Sequence, residues 1–143
     1  MQETYDAQPL HIAAHASRVR VLFEGHEIAD SGDVLVLNER GHDPVFYFPR
    51  DDVQMSSLRR NDHTSQCPLK GTASYYTLMR DGHLIEDVAW SYDDPFDDCA
   101  LIAGRIAFYP RHVEFQVDAE AEPVRHVPAH DPPYADTTDP RDV

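Results

Sequence analysis

At 143 residues the chain fits one domain with length to spare for tails. Its 12 basic residues stand against 26 acidic ones, a net charge of −14. That charge repels phosphate backbones and anionic lipid, so nucleic acid and membrane surfaces are not expected partners.

No apolar run approaches membrane-spanning length, and the opening MQETYDAQPLHIAAHASR has neither the basic nor the apolar region of a signal peptide. A hydrophobic fraction of 41% is enough for a core. The two cysteines, Cys67 and Cys99, are too few for a secreted disulfide scaffold. They read as free thiols in a reducing cytoplasm, and a mass measurement under non-reducing conditions separates that reading from a Cys67–Cys99 bridge.

Residues 1–15 are small and polar without a clean period, and are expected to form a flexible lead. Order is expected from Arg18, because Val19, Val21 and Phe23 alternate with polar neighbours as in a half-buried strand. Glu24-Gly25-His26 turns the chain into a short strand over 26–30, and 33–37 (DVLVL) reads as a third. Arg40-Gly41-His42-Asp43-Pro44 is loop chemistry. Val45-Phe46-Tyr47-Phe48 is an aromatic strand stopped by Pro49. Residues 50–58 predict a helical turn capped by Asp51 or Asp52, and 59–62 a solvated connection.

The runs 72–80 and 83–92 flank Asp81-Gly82, the strongest short hairpin signal, because both central positions of a type I′ turn need φ > 0. Such a hairpin sets Trp90 opposite Ala73 or Ser74 and near Tyr75. Leu84, Val88, Trp90 and Tyr92 share one parity, which Glu86 interrupts. A turn over 99–103 and two strands over 105–109 and 113–117 complete the body. Beyond about Asp118 the chain turns acidic and proline-rich and is expected to be disordered. The result is about eight strands with almost no helix, an all-β fold of small antiparallel sheets. The expected divisions are a lead at 1–15, a domain at 16–118 and a tail at 119–143.

One stretch, 63–76 (HTSQCPLKGTASYY), concentrates the chemistry. His63 and Lys70 flank Cys67, an arrangement that can lower a thiol pKa and make a nucleophile. The competing reading is an inert, half-buried cysteine. Cys67-x-x-Lys70 is half a zinc knuckle and Cys99 stands apart, so no metal and no cofactor are expected. Lys70-Gly71-Thr72 lacks the order and upstream glycine of a phosphate loop, yet a lysine beside a glycine can contact a carboxylate or phosphate. Tyr75 and Tyr76 face opposite sides of their strand, while Trp90 and Tyr92 share one. Among the carboxylates, Asp51, Asp52, Glu86, Asp87, Asp93 and Asp94 include adjacent pairs, most of them solvated in so acidic a chain.

These residues carry a resemblance. Val19-Arg20-Val21 with Gly25 and Ala29-Asp30-Ser31, the run from Tyr47 through Pro49 to Val53, His63-Thr64, Cys67-Pro68-Leu69-Lys70-Gly71-Thr72-Ala73-Ser74-Tyr75-Tyr76, Ala89-Trp90-Ser91-Tyr92 with Pro95, Ile102-Ala103-Gly104 and Ala107-Phe108-Tyr109 together resemble a bacterial domain family of unknown function. That family is sometimes catalogued under a nucleotidyltransferase label. The resemblance spans about residues 18–117 and implies a β-tent fold, two small antiparallel sheets leaning together. Other β-tent families pin their sheets with zinc held by paired Cys-x-x-Cys knuckles. This chain departs from that pattern at Lys70 and has no second knuckle, which implies that packing replaces the metal. No paired-Asp motif with a Gly-Ser loop accompanies the label, so nucleotidyl transfer is not implied.

The leading expectation is a cytoplasmic β domain that binds a small ligand. Arg50 and Lys70 would hold an anionic group, and His63, Tyr75, Trp90 and Tyr92 would line an apolar or planar part. The rivals are an enzyme using Cys67, His63 or Lys70 as nucleophile or acid–base group, and an interaction module acting through the acidic tail. The oligomeric state is not legible.

Overall fold

The computed structural model describes residues 10–119. Ten strands alternate with short turns: β1 (Leu10–Ala14), β2 (Val19–Phe23), β3 (His26–Ser31), β4 (Leu35–Glu39), β5 (Val45–Tyr47), β6 (Leu58–Cys67), β7 (Gly71–Arg80), β8 (His83–Ser91), β9 (Ala107–Phe108) and β10 (Glu114–Val117). Helical structure among the described residues is confined to 3₁₀ turns at Arg50–Asp52, Met55–Ser57 and Asp97–Ile102. The all-β expectation therefore holds. No helix among these residues is long and apolar enough to cross a membrane.

The strands form three antiparallel sheets rather than the expected two, in the orders β1-β4-β5, β10-β2-β3 and β6-β7-β8-β9. The four-stranded sheet is the centre. Tyr76, Leu78, Val88, Ala89 and Phe108 pack with Val19, Val21, Phe23, Ile28 and Ala29 of the β2–β3 sheet in one core. Ala73, Tyr75, Trp90 and Ala107 pack with Leu37 and Tyr47 of the β4–β5 sheet in another. Covered on both sides, β7 loses the polar–apolar alternation of a half-exposed strand, and its stretch from Ala73 to Tyr76 is buried throughout. Two isolated bridges tie the layers. Phe48 and Ile106 exchange backbone hydrogen bonds at 2.8 and 2.9 Å, and Ala29 pairs with Val53.

Several boundaries differ from the sequence expectation. Leu10–Ala14, placed in a flexible lead, is β1, paired along its length with β4. The polar run 59–62, read as a connection, belongs to β6, which spans ten residues. The stretch 63–76 is thus the end of β6, a tight turn and the first half of β7. The helical turn over 50–58 is two 3₁₀ turns, and neither is capped by a side chain. The Asp81-Gly82 hairpin is present, with φ of 50° and 84° at its two central residues. Trp90 sits directly opposite Tyr75, one residue from the expected register. The proposed C-terminal tail lies outside the described residues beyond its first position.

Candidate functional site

The residues expected to line one pocket are divided by the central sheet. Tyr75, Trp90 and Tyr92 are fully enclosed in the second core. Trp90 donates its indole N–H to the Tyr47 hydroxyl at 3.2 Å, and burial pushes the Tyr47 phenol well above its ordinary range. The Tyr92 hydroxyl is buried with no hydrogen-bond partner among the described residues, and its pKa rises for the same reason.

Lys70 is buried beside them. Its ammonium lies 2.7 Å from Oε1 of Glu39 and 6.0 Å from the centre of the Tyr92 ring. Both members of the ion pair are nearly dry, Lys70 at 4% and Glu39 at 9% exposure. The pair joins β4 to the β6–β7 turn. Among the described residues, no cluster of three or more His, Cys, Asp or Glu side chains is arranged to hold a metal ion.

Cys67 and Cys99 are buried free thiols in the same core. The Cys99 S–H points at the Leu69 carbonyl at 3.7 Å. Burial raises its pKa, and the Lys70 charge only partly opposes that. Reactive thiols sit in exposed, electropositive surroundings, and these do not.

His63 reaches the surface beside this core. Its imidazole stacks on the Tyr75 ring at 4.0 Å between centres, and its Nδ1 lies 2.9 Å from Oδ2 of Asp87. The Tyr75 hydroxyl pairs with Ser65 at 2.9 Å.

Arg50 is on the other side of β7. In the β7–β8 register Ser74 and Ser91 are partners, one position from the Tyr75–Trp90 pair, so they face away from the aromatic core. Here Arg50 donates to the Tyr76 hydroxyl at 3.2 Å and the Asp93 carboxylate at 3.1 Å, with Ser91 Oγ at 3.5 Å. Its guanidinium lies 5.7 Å from the Tyr76 ring centre. Arg60, from β6, donates to Ser74 Oγ at 2.7 Å and to the other Asp93 oxygen at 3.3 Å. Ser91 Oγ also donates to Asp93 at 3.3 Å. Two guanidinium groups thus converge on one carboxylate above a floor of three buried hydroxyls, those of Ser74, Tyr76 and Ser91.

Each part has a local cause. The 3₁₀ turn after Pro49 projects Arg50 over β7–β8. Asp93 lies just past the end of β8, in the Asp93-Asp94-Pro95 segment that breaks the strand. Sequence reasoning named Arg50 but paired it with Lys70, and it missed Arg60, Ser74, Tyr76, Ser91 and Asp93 as a group. The signal available was Arg59-Arg60, an adjacent basic pair in a strongly acidic chain. What the arrangement can do chemically is hold a carboxylate or phosphate by charge-assisted, forked hydrogen bonds.

A family model described as Domain of unknown function (DUF427) matches residues 11–121. It also bears a nucleotidyltransferase label. A comparison with curated proteins gives no match.

Proposed function

The chain belongs to the DUF427 family, and from that premise we propose that it is a binding domain for a small anionic molecule. Arg50 and Arg60 are the binding groups, and Tyr76, Ser74 and Ser91 form the polar floor. The observation that supports this is the Asp93 carboxylate lying between both guanidinium groups. A carboxylate is already held there, on an exposed segment that a phosphate or carboxylate ligand can displace. An arginine fork that closes on an anion from solvent needs partly open side chains, and Arg50 and Arg60 are 36% and 57% exposed. Lys70, Tyr75, Trp90 and Tyr92 then serve as the rigid support behind the site rather than its lining. The enzyme reading through Cys67 or Lys70 is disfavoured by the burial of both.

Thermal unfolding in inorganic phosphate and in citrate, against sodium chloride at matched ionic strength, tests this. A ligand at 100 times its Kd stabilises by about 2.7 kcal/mol, which for a domain of this size raises Tm by several degrees. The expected result is a rise in the wild type that is absent in Arg50→Ala with Arg60→Ala. Equal shifts in both proteins, or none in either, would overturn the reading.

A further inference from the structure

Three departures from regular β geometry coincide beside His63. The β6–β7 register shifts between Arg60 and Thr64, and the β7–β8 register shifts between Tyr76 and Leu78. On the adjoining strand, Asp87 adopts φ of +58°, a left-handed conformation uncommon for any residue but glycine. Bulges and left-handed residues re-aim side chains, and they cluster at sites where a side chain must point in one direction.

Here they aim a closed set of hydrogen bonds. Asp87 Oδ2 faces His63 Nδ1 at 2.9 Å, and Asp87 Oδ1 accepts from the Asn61 amide at 3.0 Å. The same amide donates to Thr77 Oγ1 at 3.0 Å, and Asn61 Oδ1 accepts from the His63 backbone N–H at 2.8 Å. The imidazole is fixed from below by Tyr75, 4.0 Å away and 16° from parallel.

The consequence for protonation follows from the partners. An ionised carboxylate only accepts, so in neutral His63 the proton sits on Nδ1. The lone pair is then on Nε2, which no described residue hydrogen-bonds. The side chain remains 31% exposed. A partly exposed histidine held in one orientation, with the lone pair on its second nitrogen, is the arrangement that acid–base catalysis uses.

We propose that His63 is a catalytic residue of a second site, one that hydrolyses small, electrophilic carboxylic esters, with Asp87 as its positioning residue. In that step Nε2 takes a proton from water while the water oxygen bonds to the carbonyl carbon. The carbon–alkoxide bond then breaks, and the leaving alkoxide takes the proton back from Nε2. Ester and water become acid and alcohol, and His63 is restored. This site is independent of the anion site, because it uses neither arginine.

The probe is diethyl pyrocarbonate, which acylates neutral Nε2, with each modified histidine located by peptide mass spectrometry. Initial rates of p-nitrophenyl acetate hydrolysis are read in parallel. Asp87→Asn is the informative variant, because asparagine tolerates positive φ as well as aspartate does and so preserves the backbone while removing the carboxylate. We expect His63 to acylate about tenfold faster than the more exposed His11 and His83, an acceleration of the kind an oriented base supplies. Asp87→Asn should abolish that advantage while the domain stays folded, and His63→Gln should lose most of the ester hydrolysis. A His63 no faster than His11, a rate indifferent to Asp87→Asn, or hydrolysis undiminished in His63→Gln would each overturn the proposal and leave the pair a brace for the bulges.

Discussion

Two ion-paired regions of this molecule use the same charges to different ends. Lys70 and Glu39 meet at 2.7 Å inside an aromatic core. Arg50, Arg60 and Asp93 meet at 3.1 and 3.3 Å on the surface. The buried pair is closed off from solvent, so removing one member leaves the other charge buried without its 2.7 Å contact. The exposed group loses little when its internal carboxylate is replaced by an external one, because surface ion pairs contribute at most about 1 kcal/mol. Burial, more than charge type, separates the structural cation from the binding cations.

The largest effect that tests this contrast is at Lys70. Lys70→Ala removes the ammonium from a buried carboxylate whose other oxygen lies 3.8 Å from His42 Nε2, and should cost about 3–5 kcal/mol in urea unfolding. Replacing both partners with apolar residues, Lys70→Met with Glu39→Leu, should restore stability to within about 1 kcal/mol of wild type. A single variant as stable as wild type would show that the pair is not structural.

A second effect concerns alkaline pH. Tyr47, Tyr92 and Cys99 all have pKa values raised by burial in the folded state. The folded state therefore holds their protons more tightly than the unfolded chain does. The stability this contributes is full below the unfolded values, about 8.5 for the thiol and about 10 for the phenols, and falls as pH rises through that range. Each group contributes a slope of up to about 1.4 kcal/mol per pH unit. Tyr92→Phe removes a buried hydroxyl that has no partner among the described residues, so it should leave neutral-pH stability equal or higher and flatten the alkaline loss. Urea midpoints measured from pH 8 to 11 read both.

The smallest effects on stability, and the largest on binding, belong to the surface group. Arg50→Ala and Arg60→Ala should each shift unfolding by less than about 1 kcal/mol. Asp93→Asn removes the internal competitor, so it should tighten phosphate binding in calorimetry rather than weaken it. Weaker binding in Asp93→Asn would mean that the carboxylate is part of the binding machinery instead of its placeholder.

The sequence was most informative where the chemistry is local. Asp81-Gly82 announces its turn because two adjacent residues must take φ > 0, and they do. The opposite facing of Tyr75 and Tyr76 follows from strand geometry alone, and the two residues lie in different cores. The β6 strand was hidden because it is an edge strand whose sides are both partly solvated. Its residues Arg59-Arg60-Asn61-Asp62 therefore carry no apolar period. Parity along β8 pointed to Glu86, yet Glu86 is exposed and its neighbour Asp87 meets His63. The positive φ at Asp87 and the adjacent register shift reset the alternation, and no single-sequence pattern signals a bulge of that kind. Lys70 looked available because its partner, Glu39, is distant in sequence and joined only by folding.

The proposed anion site is the Arg50–Arg60 group and not the Lys70 core. Titrating inorganic phosphate into ¹⁵N-labelled protein, with arginine side-chain and backbone resonances followed by NMR, tests it most directly. Saturable shifts are expected at the Arg50 and Arg60 guanidinium groups and at the Ser74, Ser91 and Asp93 amides, with the Lys70 and Trp90 signals unmoved. Shifts centred on Lys70 and Trp90, or no saturable shift at either arginine, would contradict it.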